Sequence, residues 1–160
     1  MEPTNEADLE WTETHHGETE FRRKRLAAAA GGDRLGCSLY ELPAGAKSWP
    51  FHYHTGNEEA LYVLAGAGTL RLGDGSHPLR AGDYVALPAG ETGGHRVIND
   101  GDDPLRYLAV STMGDPDVTV YPDSGKVGVF AGSPPGGDGE RTVHGYFRED
   151  DAVSYWEGEE

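Results

Sequence analysis

The sequence predicts an all-β barrel or sandwich, and three observations predict it. Short runs rich in Val, Leu, Tyr and Thr recur between residues 35 and 111. Gly and Pro interrupt them at short intervals, as PAG, GDG, AGD, PAG and NDGDDP. No stretch between 35 and 111 carries the apolar spacing of a convincing amphipathic helix. Many short strands at regular spacing, joined by tight turns, are the pattern of a closed or double-layered β domain.

In order, the predicted strands are 35–42 (LGCSLYEL), 59–65 (EALYVLA), 68–72 (GTLRL), 83–87 (DYVAL), 95–98 (HRVI) and 105–111 (LRYLAVS). Each is bounded by turn-forming residues. The segment 72–79 (LGDGSHPL) holds an Asp-Gly pair suited to a two-residue hairpin turn. Residues 22–30 (RRKRLAAAA) have high helix propensity and end in Gly31-Gly32, but read here as part of an extended arm. Beyond Met113 the texture changes: 114–125 has two Pro-Asp steps, and 132–139 (GSPPGGDG) reads as a loop or linker. Tyr146, Phe147, Tyr155 and Trp156 sit among acids in the tail and are expected to pack on the barrel or a partner subunit. The organisation is therefore an acidic arm with a first strand over 1–34, a barrel over 35–112 and an extension over 113–160.

The chain has 160 residues, with 28 acidic against 13 basic side chains and a net charge of −15. That length fits one domain, and 36% hydrophobic content supports one modest core. Nucleic acid is excluded as a partner, because such binding is driven by cations displacing counterions from phosphates. An anionic membrane surface is disfavoured for the same reason. Thirteen acids fall in residues 1–20 and 149–160, without a Lys or Arg among them, so both ends read as solvated arms. The start lacks the basic and apolar regions of a secretory signal, and Cys37 is the only cysteine. Both features predict a cytoplasmic protein.

The residues with the clearest chemistry are His52-Tyr53-His54, Glu59 and His95. In a strand, side chains at i and i+2 share a face, so His52 and His54 project together. Thr55-Gly56-Asn57 reads as a turn that returns Glu59 beside them. Imidazoles with a carboxylate make a divalent-metal site, and their flanks, Phe51 and LYVL, point to the interior. Buried and clustered, such groups require a cation or many hydrogen-bond partners.

These residues resemble the two motifs of the cupin superfamily. Gly45, His52, His54, Glu59 and Gly66 match the first; Gly82-Asp83, Pro88-Ala89-Gly90, His95 and Asn99 match the second. The resemblance covers roughly residues 35–112. It implies a double-stranded β-helix, a jelly-roll barrel, with His52, His54, Glu59 and His95 converging on one divalent ion (Zn, Mn, Fe or Ni). The chain departs from the pattern in having six residues between Gly45 and His52 and four between Gly90 and His95. The second loop could hold His95 in place or shift it outward.

Strand parity leaves a choice between Glu58 and Glu59. Glu59 inward takes Leu61 and Val63 with it, whereas Glu58 inward takes Ala60, Tyr62 and Leu64. The motif spacing to Gly66 favours Glu59. The inward neighbours are then Leu61, Val63, Val97 and Asn99, none a general acid or base. Tyr40, Arg71, Arg106 and Tyr107 are further candidates by residue type, and Trp49 and Phe51 could wall the barrel mouth. Ser124-Gly125-Lys126 lacks the first glycine of a phosphate loop and reads as a turn. His15-His16, His77 and His144 read as surface histidines. The cluster Arg22-Arg23-Lys24-Arg25 reads as a partner for the acidic arm or a neighbouring subunit.

Four protein ligands leave about two positions on a six-coordinate ion, suited to water and a small oxygen-bearing ligand. The resemblance implies a sugar or sugar-phosphate isomerase-like enzyme, an iron-dependent dioxygenase, or a non-catalytic small-molecule binder. A carbohydrate-like ligand is the expected small-molecule partner, and a homodimer the expected assembly.

Overall fold

The computed structural model describes residues 2–159. Its strands are β1 (Thr12–His16), β2 (Thr19–Lys24), β3 (Leu35–Leu42), β4 (Tyr53–His54), β5 (Glu59–Ala65), β6 (Ala67–Leu72) and β7 (Gly75–Arg80). They continue with β8 (Tyr84–Leu87), β9 (His95–Ile98), β10 (Leu105–Thr112), β11 (Asp117–Tyr121), β12 (Lys126–Ala131) and β13 (Val143–Arg148). The runs predicted at 35–42, 59–65 and 95–98 are β3, β5 and β9, and the other three differ by one residue at one end.

A six-stranded sheet runs β1-β2-β3-β10-β5-β8. Opposite it lie the three-stranded sheet β7-β6-β9 and the four-stranded sheet β13-β12-β11-β4. The strand pairs are antiparallel, and an isolated bridge between His52 and His95 links β9 to the segment entering β4. Lys47 bridges both Thr19 and Ile98, joining the large sheet to the small one. The result is an all-β jelly roll.

Pairing register explains why one end of the barrel is apolar and the other is not. Leu42 faces Leu105, and the next inward rungs are Tyr40–Tyr107–Val63 and Ser38–Ala109–Leu61. The last rung is Gly36–Ser111–Glu59. Leu42, Leu105, Val63, Leu70 and Val97 are almost wholly buried at the closed end. Burying a side chain of this size stabilises by roughly 1.5–3 kcal/mol. Glu59, Leu61 and Val63 share the inner face, while Tyr62 and Leu64 are exposed.

Three local expectations change. Where the sequence predicts one first strand within 1–34, residues 12–24 form two, the β1–β2 hairpin at the edge of the large sheet. Arg22 and Lys24 hold it by stacking on Trp11, and buried Lys24 donates to the Glu6 carbonyl at 2.6 Å. Within 22–30, Leu26–Ala29 forms one turn of α-helix (α1), because four alanines favour it where β2 ends. In the β6–β7 hairpin Leu72 pairs with Gly75, so Gly73 and Asp74 make the two-residue turn. Gly75, at φ 139°, opens the returning strand instead.

The loop between Gly90 and His95 tightens into a 3-10 turn over Glu91–Gly93. Gly93 is pressed so closely on Pro88 that a Cβ there would run into the Pro88 carbonyl oxygen. The extra residues are thereby folded away, and His95 enters β9 hydrogen-bonded through its backbone to His52 at 2.9 and 3.3 Å.

Two substitutions test these contacts. Leu105→Ala is expected to lower unfolding free energy by about 2–5 kcal/mol in urea titration, against less than about 1 kcal/mol for Tyr84→Ala on the exposed face. Gly93→Ala is expected to lower the melting temperature and shift the His95 imidazole NMR signals. Gly73→Ala, where a Cβ meets nothing within 4 Å, is expected to change neither.

Candidate metal centre

His52 precedes β4, His54 ends it, Glu59 opens β5 and His95 opens β9. The β4–β11 pairing and the His52–His95 bridge bring these strand ends together at the open end of the barrel. His52, His54 and His95 are all buried. Their rings lie 5.2 Å (His52–His54) and 4.8 Å (His52–His95) apart between centroids. Ligand atoms of His52, His54 and Glu59 all lie within 4.8 Å of one another. The Glu59 carboxylate is 3.6 Å from His54 Nε2 and 3.5 Å from His95 Nε2, so His95 adjoins the group through Glu59.

Every ring is anchored from behind. His52 Nδ1 meets the Pro50 carbonyl at 2.8 Å and His95 Nδ1 the Gly93 carbonyl at 3.0 Å. His54 Nδ1 meets the Asp117 carboxylate at 2.6 Å. An acceptor at Nδ1 fixes the proton there and leaves the Nε2 lone pair free, the arrangement found in metal-ligating histidines. Donor–metal distances of roughly 2.0–2.2 Å place neighbouring donors about 3.0–3.4 Å apart, close to the 3.5 and 3.6 Å here. The residues therefore fit a divalent ion.

Electrostatics points the same way. Burial, aided by the neighbouring His95 and His54 rings, holds His52 well below the usual histidine range. Burial also lowers His95, although Glu59 opposes it. Both rings are thus kept neutral, as ligation requires. Burial pushes His54 down too, but Asp117 and Glu59 outweigh it and raise the ring overall. Two carboxylates there favour positive charge, whether a proton or a metal on Nε2. Burial works against ionisation of Asp117, yet its bonds to His54 and the Gly56 N–H keep it below the usual carboxylate range.

Asp117 is the residue that the sequence did not reveal. Its segment, GDPDV, reads as turns, and only the pairing of β11 on β4 aims its carboxylate at His54. Asn57 ties the intervening turn down, donating to the Gly114 carbonyl and accepting from the Gly114 N–H and the Thr112 hydroxyl. Asn99 is fully buried and serves the same structural purpose, donating to the Leu42 and Asp103 carbonyls.

The cluster opens into a pocket of about 840 Å³. Of the candidates chosen by residue type, Tyr40 lines it, while Tyr107 lies buried and stacked on Tyr40 with centroids 5.3 Å apart. Arg71 faces away to Asp123, and Arg106 to Glu6 and Glu41. Trp49 walls the pocket, whereas Phe51 is buried under Arg71 and Gly94. Three further residues line the wall: Arg23, read from the sequence only as part of a basic cluster, His144, read as a surface histidine, and Tyr121, which has no distinguishing pattern. Tyr121 stacks on His52 at 5.8 Å, and burial, with Tyr146 beside it, raises its phenol pKa.

Residues 38–111 match the family model of the Cupin domain. The Oxalate-binding protein of Thermotoga maritima is 36% identical over 70 residues, 44% of this chain and 55% of that protein. The chain spans about half the length of the curated relatives it matches. Among solved structures, a candidate sugar phosphate isomerase of Acidithiobacillus ferrooxidans has a TM-score of 0.79 at 27% identity, covering 92% of this chain and 90% of its own. A cupin-superfamily sugar phosphate isomerase of Silicibacter pomeroyi has a TM-score of 0.78 at 27% identity, covering 94% and 96%. Jelly-roll strands, both motifs, the matched segment and these likenesses agree on a small cupin-domain protein, with the Cupin domain over residues 38–111.

Proposed function

We propose that this cupin holds one divalent ion through His52, His54, Glu59 and His95 and takes a small oxygen-rich molecule of the sugar or sugar-phosphate class against it. The observation that carries the reading is three Nδ1-anchored imidazoles, two of them (His54 and His95) 3.5–3.6 Å from the Glu59 carboxylate and the third (His52) with its ligand atom within 4.8 Å of those of His54 and Glu59. The two sugar phosphate isomerase structures support the ligand class, and the oxalate-binding relative supports a small oxygen-donor ligand. A divalent ion supplies Lewis acidity toward carbonyl and hydroxyl oxygens. The chain's own groups bind and orient: Trp49 and Phe130 limit water, and the Tyr121 phenol stays protonated as a hydrogen-bond donor.

One observation favours binding without turnover as the second reading. The inner neighbours of Glu59 are Leu61 and Ala109, and Tyr121 resists ionisation, so proton carriers beside the cluster are few. Incubating metal-loaded protein with a sugar-phosphate panel separates the two: isomerised product supports the enzyme, and saturable binding without product supports the binder. Neither binding nor product across the panel would remove the ligand class. Oxygen uptake with iron, but not zinc, would assign an oxygenase instead.

Elemental analysis of purified protein is expected to give about one divalent ion per chain, and His52→Ala and His95→Ala are expected to lose it. Full metal in both variants would remove the site. Asp117→Asn replaces one acceptor of His54 with a donor. It is expected to weaken metal binding roughly 10–100-fold in a competition titration with a chromophoric chelator, with the far-ultraviolet circular dichroism unchanged.

A further inference from the structure

The basic cluster at 22–25 divides unevenly. Arg22 pairs with Glu41, Lys24 with Glu6 and Arg25 with Asp138. Arg23 pairs with no carboxylate among the described residues. One terminal nitrogen donates to the Tyr40 hydroxyl at 3.4 Å, and its Nε is buried without an acceptor. Tyr40 also accepts from Trp49 Nε1 at 3.3 Å, so two donors occupy its oxygen. Its own O–H finds no acceptor among the described residues. Arg23, Tyr40 and Trp49 all line the pocket that holds His52, His54 and Glu59.

Asp138, whose carboxylate feels the Arg23 charge, is already bonded to Arg25, so this half-buried guanidinium lacks a direct partner in a chain that has 28 acids to choose from. Its charge and the spare Tyr40 proton both call for an acceptor from outside the protein. Tyr40 lies two rungs from Glu59 on the inner face, across Tyr107 and Val63. Four residues along the strands and two strand spacings across them make that roughly 16 Å between backbones. A ligand with several carbons between two polar ends spans it once the side chains have reached inward.

We propose that Arg23 and Tyr40, buttressed by Trp49, form an anion subsite that takes the phosphate of a phosphorylated polyhydroxy compound whose other end faces the imidazole cluster. This rests on the pocket being the ligand site and deepens that reading. A phosphate monoester offers three acceptor oxygens and nearly two charges, matching a guanidinium fork plus a hydroxyl donor; a carboxylate offers two oxygens and one charge.

The test uses metal-loaded, full-length protein with inorganic phosphate, oxalate and fructose 6-phosphate against fructose as probes, followed by calorimetry. Phosphate and fructose 6-phosphate are expected to saturate one site, and fructose to bind at least about ten-fold more weakly than its phosphate. Arg23→Gln is expected to weaken both phosphate-bearing probes about ten-fold or more. Arg23→Lys is expected to recover only part of the loss, since the fork is gone. Tyr40→Phe keeps the ring stacked on Tyr107 and is expected to weaken them several-fold, which covers the case that an Arg23 variant folds poorly. Unchanged dissociation constants in Arg23→Gln and Tyr40→Phe, or oxalate binding more tightly than phosphate through Arg23, would overturn the subsite. Metal content is read on the same samples. Stoichiometric metal with no Arg23-dependent phosphate binding sinks the subsite alone, and Arg23-dependent phosphate binding by protein that takes up no divalent ion on loading sinks the metal centre alone.

Discussion

Two backbone hydrogen bonds between His52 and His95 do more than join strands. They tie the three-stranded sheet to the segment entering the four-stranded one, and so close the jelly roll on its smaller side. In the same step they bring two imidazoles to a centroid separation of 4.8 Å. Closure of the barrel and assembly of the cluster are therefore one event. Paired backbone groups hold the bridge, so the rings inherit the rigidity of the sheet. Glu59 joins them because β5 pairs with β10 in a register that leaves its first residue at the barrel's open end.

Proximity alone would make a poor cluster, since buried imidazoles beside a carboxylate can pair with it by taking up protons. Burial opposes this at His52 and His95, while the Pro50 and Gly93 carbonyls and Asp117 hold each Nδ1 proton and leave Nε2 to face the cluster. Two of the three acceptors lie two residues before the ring they anchor, so His52 and His95 carry their own restraint in the local chain. His54 takes its restraint from β11, far away in sequence. That difference explains the electrostatics: backbone carbonyls leave His52 and His95 lowered by burial, and only the carboxylate-flanked His54 is raised.

The same distinction marks what could be read from the sequence. The alternation of His52, Tyr53 and His54, the parity linking Glu59 to Leu61 and Val63, and the strand runs from 35 to 111 are consequences of a two-residue period. They were legible because they are local. Gly75 and the alanines after Arg25 show where local signals compete: an Asp-Gly pair suggested one turn, and pairing placed it a residue earlier. Asp117, Asn57 and Arg23 were illegible for another reason. Their roles come from β11 lying on β4, from residue 57 reaching residue 114, and from β2 lying on β3. Nothing within ten residues of any of them encodes that partner.

Charge distribution gives the pocket its character within an acidic chain. Of the three arginines that line the pocket, Arg25 is neutralised by Asp138. Arg141 is engaged by the Ser133 and Pro134 carbonyls and stacks on Phe130. A net charge of −15 repels anions at long range, and salt screens that repulsion beyond about 8–10 Å. Inside the cavity the balance is local. There the Arg23 guanidinium and the Tyr40 hydroxyl would meet a proposed anion on a wall where both are partly or wholly buried, and a charged hydrogen bond is worth more than in water. An acidic exterior with a guanidinium inside that meets only a phenol thus discriminates by position: an anion gains little at the surface, and gains most where its remaining oxygens also reach the imidazole cluster.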